Sequence, residues 1–173
     1  MSELLIEEHS VKQKLKQAPN FKSAGTDKIP NFWLKQLNSL HKYYAQCFTK
    51  ILNKTEEIPE WLTEGCTYLL PKSEETESPS KYRLITCLPT VFKLLTGIIT
   101  DAIYTHLAEK EFISPQQNGC KRDCFGAKDH LLVNKTITEN AKKNGRNFHL
   151  AWIDYKKAFD SVPHSWILET LKT

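Results

Sequence analysis

Apolar and polar side chains alternate at helical spacing over residues 31–53. Successive apolar positions lie four, three, four, three and four residues apart. This spacing places them on one face of an α-helix, and it predicts a single amphipathic helix that begins near Asn31 and ends near Asn53. The residues predicted to face the core are Trp33, Leu37, Leu40, Tyr44, Cys47 and Ile51.

Further stretches carry the same kind of pattern. One covers residues 89–110, and another runs over residues 127–143, where Asn144 and Gly145 follow as stop signals. A short terminal helix is predicted after Pro163. The polar, lysine-rich start of the chain predicts either a short helix or a frayed terminus, with apolar anchors at Leu4, Leu5, Val11 and Leu15.

Strand-like patterns are shorter. Residues 66–72 and 82–86 flank a polar loop that contains Pro79, which predicts a β-hairpin. Residues 147–154 read NFHLAWID and are largely apolar on both faces, which predicts a central strand of a sheet. The predicted fold class is therefore α+β, with helix dominating.

Composition excludes some classes of protein. The chain has 173 residues, of which 40% are hydrophobic and 25% charged, as expected of one folded domain or a large piece of one. No apolar run approaches the roughly 18 residues of a membrane span. The acidic start MSELLIEEHS lacks the pattern of a secretory signal. Five cysteines and no such signal predict reduced thiols in an intracellular compartment.

Positive charge is concentrated in one region. Residues 110–157 contain ten Lys/Arg and five Asp/Glu, whereas the remaining 125 residues contain 14 Lys/Arg and 15 Asp/Glu. Such an excess suits contact with a polyanion. A solvated lysine-rich face explains it as well, and charge alone favours that simpler interpretation.

Asp154 is the first candidate for chemistry. It ends the apolar stretch, and a carboxylate in such a position is costly unless it is paired, hydrogen-bonded or bound to a metal. A structural Asp that caps a turn is the alternative. Asp160 competes as a candidate but better suits a cap before the terminal helix. Cys120, Cys124 and His130 suggest part of a zinc site, but ordinary thiols are favoured because no fourth ligand has suitable spacing.

The segment LAWIDYKKAFDSVPH resembles the first catalytic block of reverse transcriptases, in the form found in non-long-terminal-repeat (LINE-type) retrotransposons. Three upstream segments resemble the family's preceding blocks in order and spacing: KSAGTDKIP, then YLLPK with YRLITCLPTVFKLLTGIIT, then QQNGCKRDCFGAKDHLL. Together they cover roughly residues 20–172. Each block is weak to moderate alone, and the ordered set is highly specific.

The resemblance implies roles for residues around Asp154. Asp154 would coordinate both catalytic Mg²⁺ ions, and the backbone of Tyr155 would add a carbonyl ligand. Lys157 and Ala158 would present backbone N–H groups to the triphosphate. Phe159 would take the steric-gate position, where an aromatic ring excludes a 2′-OH; packing in the core is its alternative role.

The resemblance also implies sites for phosphate. Lys72 and Arg83, on opposite arms of the predicted hairpin, would close on the triphosphate of a deoxynucleotide. Lys121, Arg122 and Lys128 would contact template or primer phosphates. Without the resemblance, Lys72 and Arg83 would be taken as two surface cations.

The implied architecture is the fingers and the first part of the palm of a right-hand polymerase. Residues 1–20 would be an N-terminal extension, residues 21–146 the fingers region, and residues 147–173 the start of the palm. The domain would be truncated at its C-terminus, because the family's later block with adjacent aspartates does not occur in the sequence. A chain with one such carboxylate is expected to be inactive alone.

The implied function is RNA-templated DNA synthesis by two-metal nucleotidyl transfer in the complete parent. The implied partners are an RNA template, a DNA primer, deoxynucleoside triphosphates and the remainder of the polymerase domain, with no membrane. The implied location of the parent is the nucleus, where such elements prime on nicked chromosomal DNA. A non-catalytic nucleic-acid-binding remnant and a decayed open reading frame are the alternatives.

Overall fold

The computed structural model describes residues 3–72, 74, 77–155, 158 and 161–172. The chain divides into two compact units after Ile113. The secondary structure consists of α1 (Glu8–Gln17), α2 (Asn31–Gln36), α3 (Ser39–Leu52), α4 (Glu60–Thr63), β1 (Cys66–Pro71), a 3-10 turn (Pro79–Lys81), β2 (Tyr82–Cys87), α5 (Thr90–Glu109), α6 (Ala127–Lys143) and α7 (His164–Thr170). In the described ranges, no helix combines the length and the apolar character needed to cross a membrane.

The core of the first unit lies between helices α1, α3 and α5. The start of the chain forms a true helix, and its Val11 and Leu15 are 0% and 1% exposed. Leu4 and Leu5, the other predicted anchors, are exposed, and Ile6 is buried instead. Burying such aliphatic side chains stabilises the fold by about 1.5–3 kcal/mol each. The core residues are Ile6, Val11, Leu15, Leu34, Ala45, Phe48, Leu62, Val91, Leu94, Leu95 and Ile98.

An ion pair also fixes α1 against α5. Lys14 Nζ donates to both carboxylate oxygens of Asp101 at 2.9 Å. Gly97 makes room for this contact, because a Cβ at that position would lie 2.5 Å from Cε of Lys14. The polar start of the chain is therefore an integral part of the first unit.

The prediction of one helix over residues 31–53 is wrong, since α2 ends at Gln36 and α3 begins at Ser39. Leu37 leaves the helical conformation, with φ −82° and ψ 61°. The break frees the carbonyl of Leu34, which accepts a hydrogen bond from Nε2 of His41 at 2.8 Å. A buried histidine side chain thus replaces a lost backbone hydrogen bond.

The buried face of these two helices also differs from the prediction by one position. Trp33 and Leu37 are 56% and 44% exposed. Tyr44 and Ile51 are partly buried at the edge of the core. The fully buried positions are Leu34, His41, Ala45 and Phe48. The core face contains a polar histidine and a small alanine. The neighbouring face carries larger apolar side chains, so the hydrophobic pattern predicts that face as the buried one.

The predicted hairpin is confirmed. β1 and β2 pair antiparallel, with Cys66 opposite Cys87 at the base and Pro71 opposite Tyr82 towards the loop. The N–H of Lys72 donates to the carbonyl of Lys81 at 2.7 Å, which extends the ladder one pair beyond the strands.

The second unit contains α6 and α7 as predicted, but the prediction of a strand over residues 147–154 is wrong. Residues 147–155 belong to no helix or strand, and all are exposed. A strand needs a neighbour to satisfy its N–H and C=O groups. Within the described residues, the only sheet is the pair β1–β2. The fold class is confirmed as mixed helices with a two-stranded antiparallel sheet, without the central strand.

Candidate functional site

Lys72 and Arg83 share one face at the loop end of the hairpin. Arg83 lies directly opposite Leu70, and Lys72 follows Leu70 by two positions. Residues two apart on a strand, and residues directly opposite on its partner, have side chains on the same face. The two cations are therefore diagonal neighbours, with backbones about 7–8 Å apart.

Lys81 is a third cation at this end of the hairpin, and sequence reasoning missed it. Its carbonyl accepts from the N–H of Lys72, which places the two lysines opposite each other. Lys81 lies in a stretch predicted as loop, so only the register of the hairpin reveals that it is opposite Lys72. We refer to Lys72, Lys81 and Arg83 as the hairpin cations. Three positive charges in one place suit a polyphosphate.

The helix that follows the hairpin is capped by a distant carboxylate. Asp27 Oδ2 accepts hydrogen bonds from the N–H groups of Thr90 at 2.5 Å and Val91 at 3.3 Å. Its Oδ1 accepts from the N–H of Ile29 at 3.3 Å. The residue at the N-cap position of α5 is Pro89, which makes no side-chain cap. The negative Asp27 thus satisfies the free N–H groups and complements the helix dipole.

Gly25 brings the same loop into backbone contact with the end of the hairpin. A Cβ at Gly25 would lie 2.1 Å from the carbonyl oxygen of Leu88 and 2.5 Å from N of Pro89. Both atoms belong to the backbone, so no side-chain movement could relieve the clash. Glycine at this position therefore permits a close approach that any other residue would prevent.

Two further hydrogen bonds complete this attachment. Thr26 Oγ1 donates to the carbonyl of Glu64 at 3.1 Å, just before β1. Lys93 Nζ donates to the carbonyl of Ser23 at 3.3 Å. We refer to residues 23–27 as the anchor loop. It contacts the chain before β1, after β2 and at the start of α5, and so holds the base of the hairpin to the helical core.

Asp154 lies in the exposed segment that follows α6. Tyr155 is 76% exposed. Among the described residues, no group of three or more His, Cys, Asp or Glu side chains is placed to hold a metal ion. Mg²⁺ requires six oxygen ligands in near-ideal octahedral geometry. Water and substrate phosphates commonly complete such a set, so Asp154 and the Tyr155 carbonyl would supply only part of a magnesium site.

Three of the candidate positions near Asp154 lie outside the described residues: Lys157, Phe159 and Asp160. Ala158 is described, and its carbonyl accepts a hydrogen bond from Oγ of Ser161 at 3.2 Å. The proposed contact of its N–H with a triphosphate stays a prediction.

The cations Lys121, Arg122 and Lys128 lie in the loop before α6 and in the first turn of that helix. Lys121 is half-buried, and its Nζ is 3.5 Å from the carbonyl of Ser114. Arg122 and Lys128 are exposed. The loop turns sharply into α6 at Gly126, whose φ of 64° favours glycine. We refer to Lys121, Arg122 and Lys128 as the basic loop.

Residues 70–173 match the model of the family described as reverse transcriptase (RNA-dependent DNA polymerase). The chain belongs to the reverse transcriptase family. The match includes the hairpin cations, the basic loop and Asp154, and it begins after the anchor loop. The resemblance inferred from the sequence is thereby confirmed.

Relatives extend the similarity to nearly the whole chain. The transposon TX1 uncharacterized 149 kDa protein of Xenopus laevis is 26% identical over 167 residues, covering 92% of this chain and 12% of that protein. The probable RNA-directed DNA polymerase from transposon BS of Drosophila melanogaster is 23% identical, covering 96% and 18%. The Pol polyprotein from the type-1 retrotransposable element R2 of Popillia japonica is 28% identical, covering 66% and 16%. The chain thus spans less than a fifth of these relatives.

Proposed function

We propose that the chain is part of a retrotransposon polymerase that copies RNA into DNA. The family match over residues 70–173 carries this proposal, because it contains the hairpin cations and Asp154 in one continuous segment. In this proposal residues 21–146 contribute the fingers, and residues 147–173 begin the palm. RNA-templated primer extension by a polymerase that carries residues 1–173 tests it. Failure of a folded, RNA-binding preparation to extend a primer would contradict it.

The hairpin is the part of this proposal with the clearest chemistry. The planar guanidinium of Arg83 suits bidentate binding of a phosphate, and the ammonium groups of Lys72 and Lys81 act as point charges. All three lie at the loop end of the hairpin, where they would contact one incoming triphosphate. The anchor loop contributes by holding the hairpin base on α5, since correct placement of the nucleotide supplies much of the rate in phosphoryl transfer.

Asp154 is the proposed ligand for the Mg²⁺ that the family generally uses, together with the carbonyl of Tyr155. The proposed partners are an RNA template, a DNA primer, deoxynucleoside triphosphates and the remainder of the polymerase domain. The proposed location of the polymerase is the nucleus.

Phe159 provides a prediction about sugar selection. Phe159→Val in the polymerase should raise kcat/KM for ribonucleotides relative to deoxynucleotides, because a smaller side chain leaves space for the 2′-OH. The ratio of kcat/KM for the two sugars is measured by primer extension. Phe148→Val, in the exposed segment before Asp154, is the control and should leave the ratio unchanged. An unchanged ratio in Phe159→Val would assign that ring to packing alone.

Non-catalytic binding of nucleic acid is a second candidate function. The observation that favours it is the positive charge of residues 110–157, which includes the exposed Arg122 and Lys128. Contacts to phosphates need no catalytic metal and no base recognition. Under this alternative the 173 residues bind RNA and perform no synthesis.

Both candidate functions predict that the chain binds single-stranded RNA weakly, with Kd of about 10⁻⁴–10⁻⁶ M at physiological salt. Replacing all three basic-loop residues by Ala should weaken binding. It should also reduce the slope of log K against log salt by about 2, since each phosphate contact on a single strand contributes about 0.7. Filter binding at several salt concentrations measures both.

A matched control for this experiment replaces three exposed lysines of the first unit, Lys16, Lys22 and Lys42. This variant removes the same net charge and should retain most of the affinity and slope. Equal losses in the two variants would show that net charge, and not the basic loop, determines binding.

A further inference from the structure

Two cysteines face each other at the base of the hairpin. Cys66 begins β1, Cys87 ends β2, and the register places them directly opposite. Both are free thiols; Cys66 is exposed and Cys87 is half-buried. Neither cysteine has a role in the proposed polymerase chemistry, so any reactivity of the pair would be a separate property of the hairpin.

The spacing between these residues suits a disulfide. The hydrogen bond from Lys72 N–H to Lys81 identifies that pair as hydrogen-bonded. Hydrogen-bonded and non-hydrogen-bonded pairs alternate, so Cys66 and Cys87, six pairs further along, form another hydrogen-bonded pair. Their Cα atoms are then about 5.5 Å apart, within the range of about 4.4–6.8 Å that disulfides span.

A disulfide would require the Cβ atoms of Cys66 and Cys87 to move only slightly closer together. Opposite residues have Cβ atoms about 4.5–5.5 Å apart, and a disulfide requires about 3.5–4.5 Å. The pair is the last of the ladder, so it has a neighbouring strand pair on one side only. A local shift of about 1 Å would therefore close the gap.

The side chains of Cys66 and Cys87 lie on one face of the hairpin, because directly opposite residues of an antiparallel pair share a face. Tyr68 is near this pair: a hydrogen bond to Cys66 raises the pKa of Tyr68, and its electrostatic interactions with Cys66 and then Cys87 raise it further. Tyr68 lies two residues from Cys66 and therefore on the same face. The register therefore places the side chains of Cys66, Tyr68 and Cys87 on the same face.

We propose that Cys66 and Cys87 are a cross-strand dithiol that a low-molecular-weight disulfide oxidises to an intramolecular disulfide. One thiolate attacks the reagent and releases one of its thiols, giving a mixed disulfide. The second cysteine attacks that mixed disulfide and releases the other thiol. Two electrons and two protons pass from the protein to the reagent, which leaves as two thiols. This chemistry does not depend on the polymerase function.

The bond would fix the base of the hairpin at the point where the anchor loop holds it. Gly65 and Thr86 pack closely there, because a Cβ at Gly65 would lie 2.7 Å from Cγ2 of Thr86. A covalent link beside this contact prevents the two strands from separating at their open end. The oxidised hairpin should therefore open less often than the reduced one.

The experiment treats the 173-residue chain with oxidised glutathione and identifies cross-linked peptides by mass spectrometry. The Cys66–Cys87 link should exceed every other cysteine pair by at least about tenfold, as expected of thiols held at disulfide distance. Cys66→Ser and Cys87→Ser should each abolish it. The double variant Cys120→Ser/Cys124→Ser is the matched control and should keep it. Unchanged circular dichroism confirms that each variant is folded.

Other outcomes would overturn the proposal. A Cys120–Cys124 link that forms as readily would show ordinary thiol exposure and no special pairing. Separate glutathione adducts at Cys66 and Cys87 would show that the second thiol cannot reach the first. Hydrogen exchange tests the effect on the hairpin, where the amides of β1 and β2 should exchange at least about threefold more slowly after oxidation. Unchanged exchange would contradict the stiffening.

Discussion

Asp154→Asn should reduce RNA-templated primer extension by about 10³-fold or more in a polymerase that carries residues 1–173, while RNA binding remains nearly unchanged. Asn has the size of Asp but no negative charge, so it is a poor ligand for a hard cation such as Mg²⁺. RNA binding should survive because it depends on cations elsewhere in the chain. Single-turnover extension and filter binding on the same preparations separate the two effects.

Asp123→Asn is the matched control for this substitution. Asp123 is exposed in the same unit and has a φ of 58°, a conformation that Asn tolerates well. This variant should extend primers at the wild-type rate. If Asp154→Asn retained a tenth of the wild-type rate, Asp154 would not be the proposed metal ligand.

Local patterns in the sequence predicted local structure well. The hairpin, α5 and α6 were predicted close to their observed bounds, because each depends on a repeat and on stop signals within its own segment. Gly145, just after α6, has the positive φ of 59° that a helix-ending glycine adopts. Such features require no knowledge of the rest of the chain.

The predictions were wrong where the structure depends on groups distant in sequence, or on a polar side chain that replaces a backbone hydrogen bond. The break after α2 depends on the His41 side chain, which satisfies the Leu34 carbonyl, and a hydrophobic repeat does not reveal that contact. The segment 147–154 has the composition of a buried strand, but no neighbouring strand pairs with it in the described residues. Apolar composition alone does not make a strand.

For the same reason, the sequence indicates only some of the residues of the candidate site. Sequence resemblance points to Lys72, Arg83 and Asp154 as candidates, because these residues lie within recognisable motifs, and their roles stay predictions. It did not reveal Lys81, whose position depends on the register of the hairpin. It also did not reveal that Asp27 reaches the start of α5, since the hydrogen-bonded residues are 63 and 64 positions apart.

Asp27→Ala should lower the free energy of unfolding of the chain by about 1–3 kcal/mol, as expected for the loss of a charged helix cap with partly buried N–H groups. The substitution leaves the N–H groups of Thr90 and Val91 without their acceptor, and Pro89 offers no replacement. Asp27→Asn keeps one acceptor oxygen without the charge, so its loss should be smaller. Urea unfolding followed by circular dichroism measures each change.

The same substitution should loosen the hairpin, because Asp27 and Gly25 belong to one anchor loop. We expect the amides of β1 and β2 to exchange faster with solvent in Asp27→Ala than the amides of α3, which the loop does not cap. Glu57→Ala removes an exposed carboxylate from the same unit and is the matched control. A loss of stability no larger than that of Glu57→Ala would refute the capping role. Equal acceleration throughout the first unit would show that Asp27 stabilises the fold without specifically positioning the hairpin and its cations.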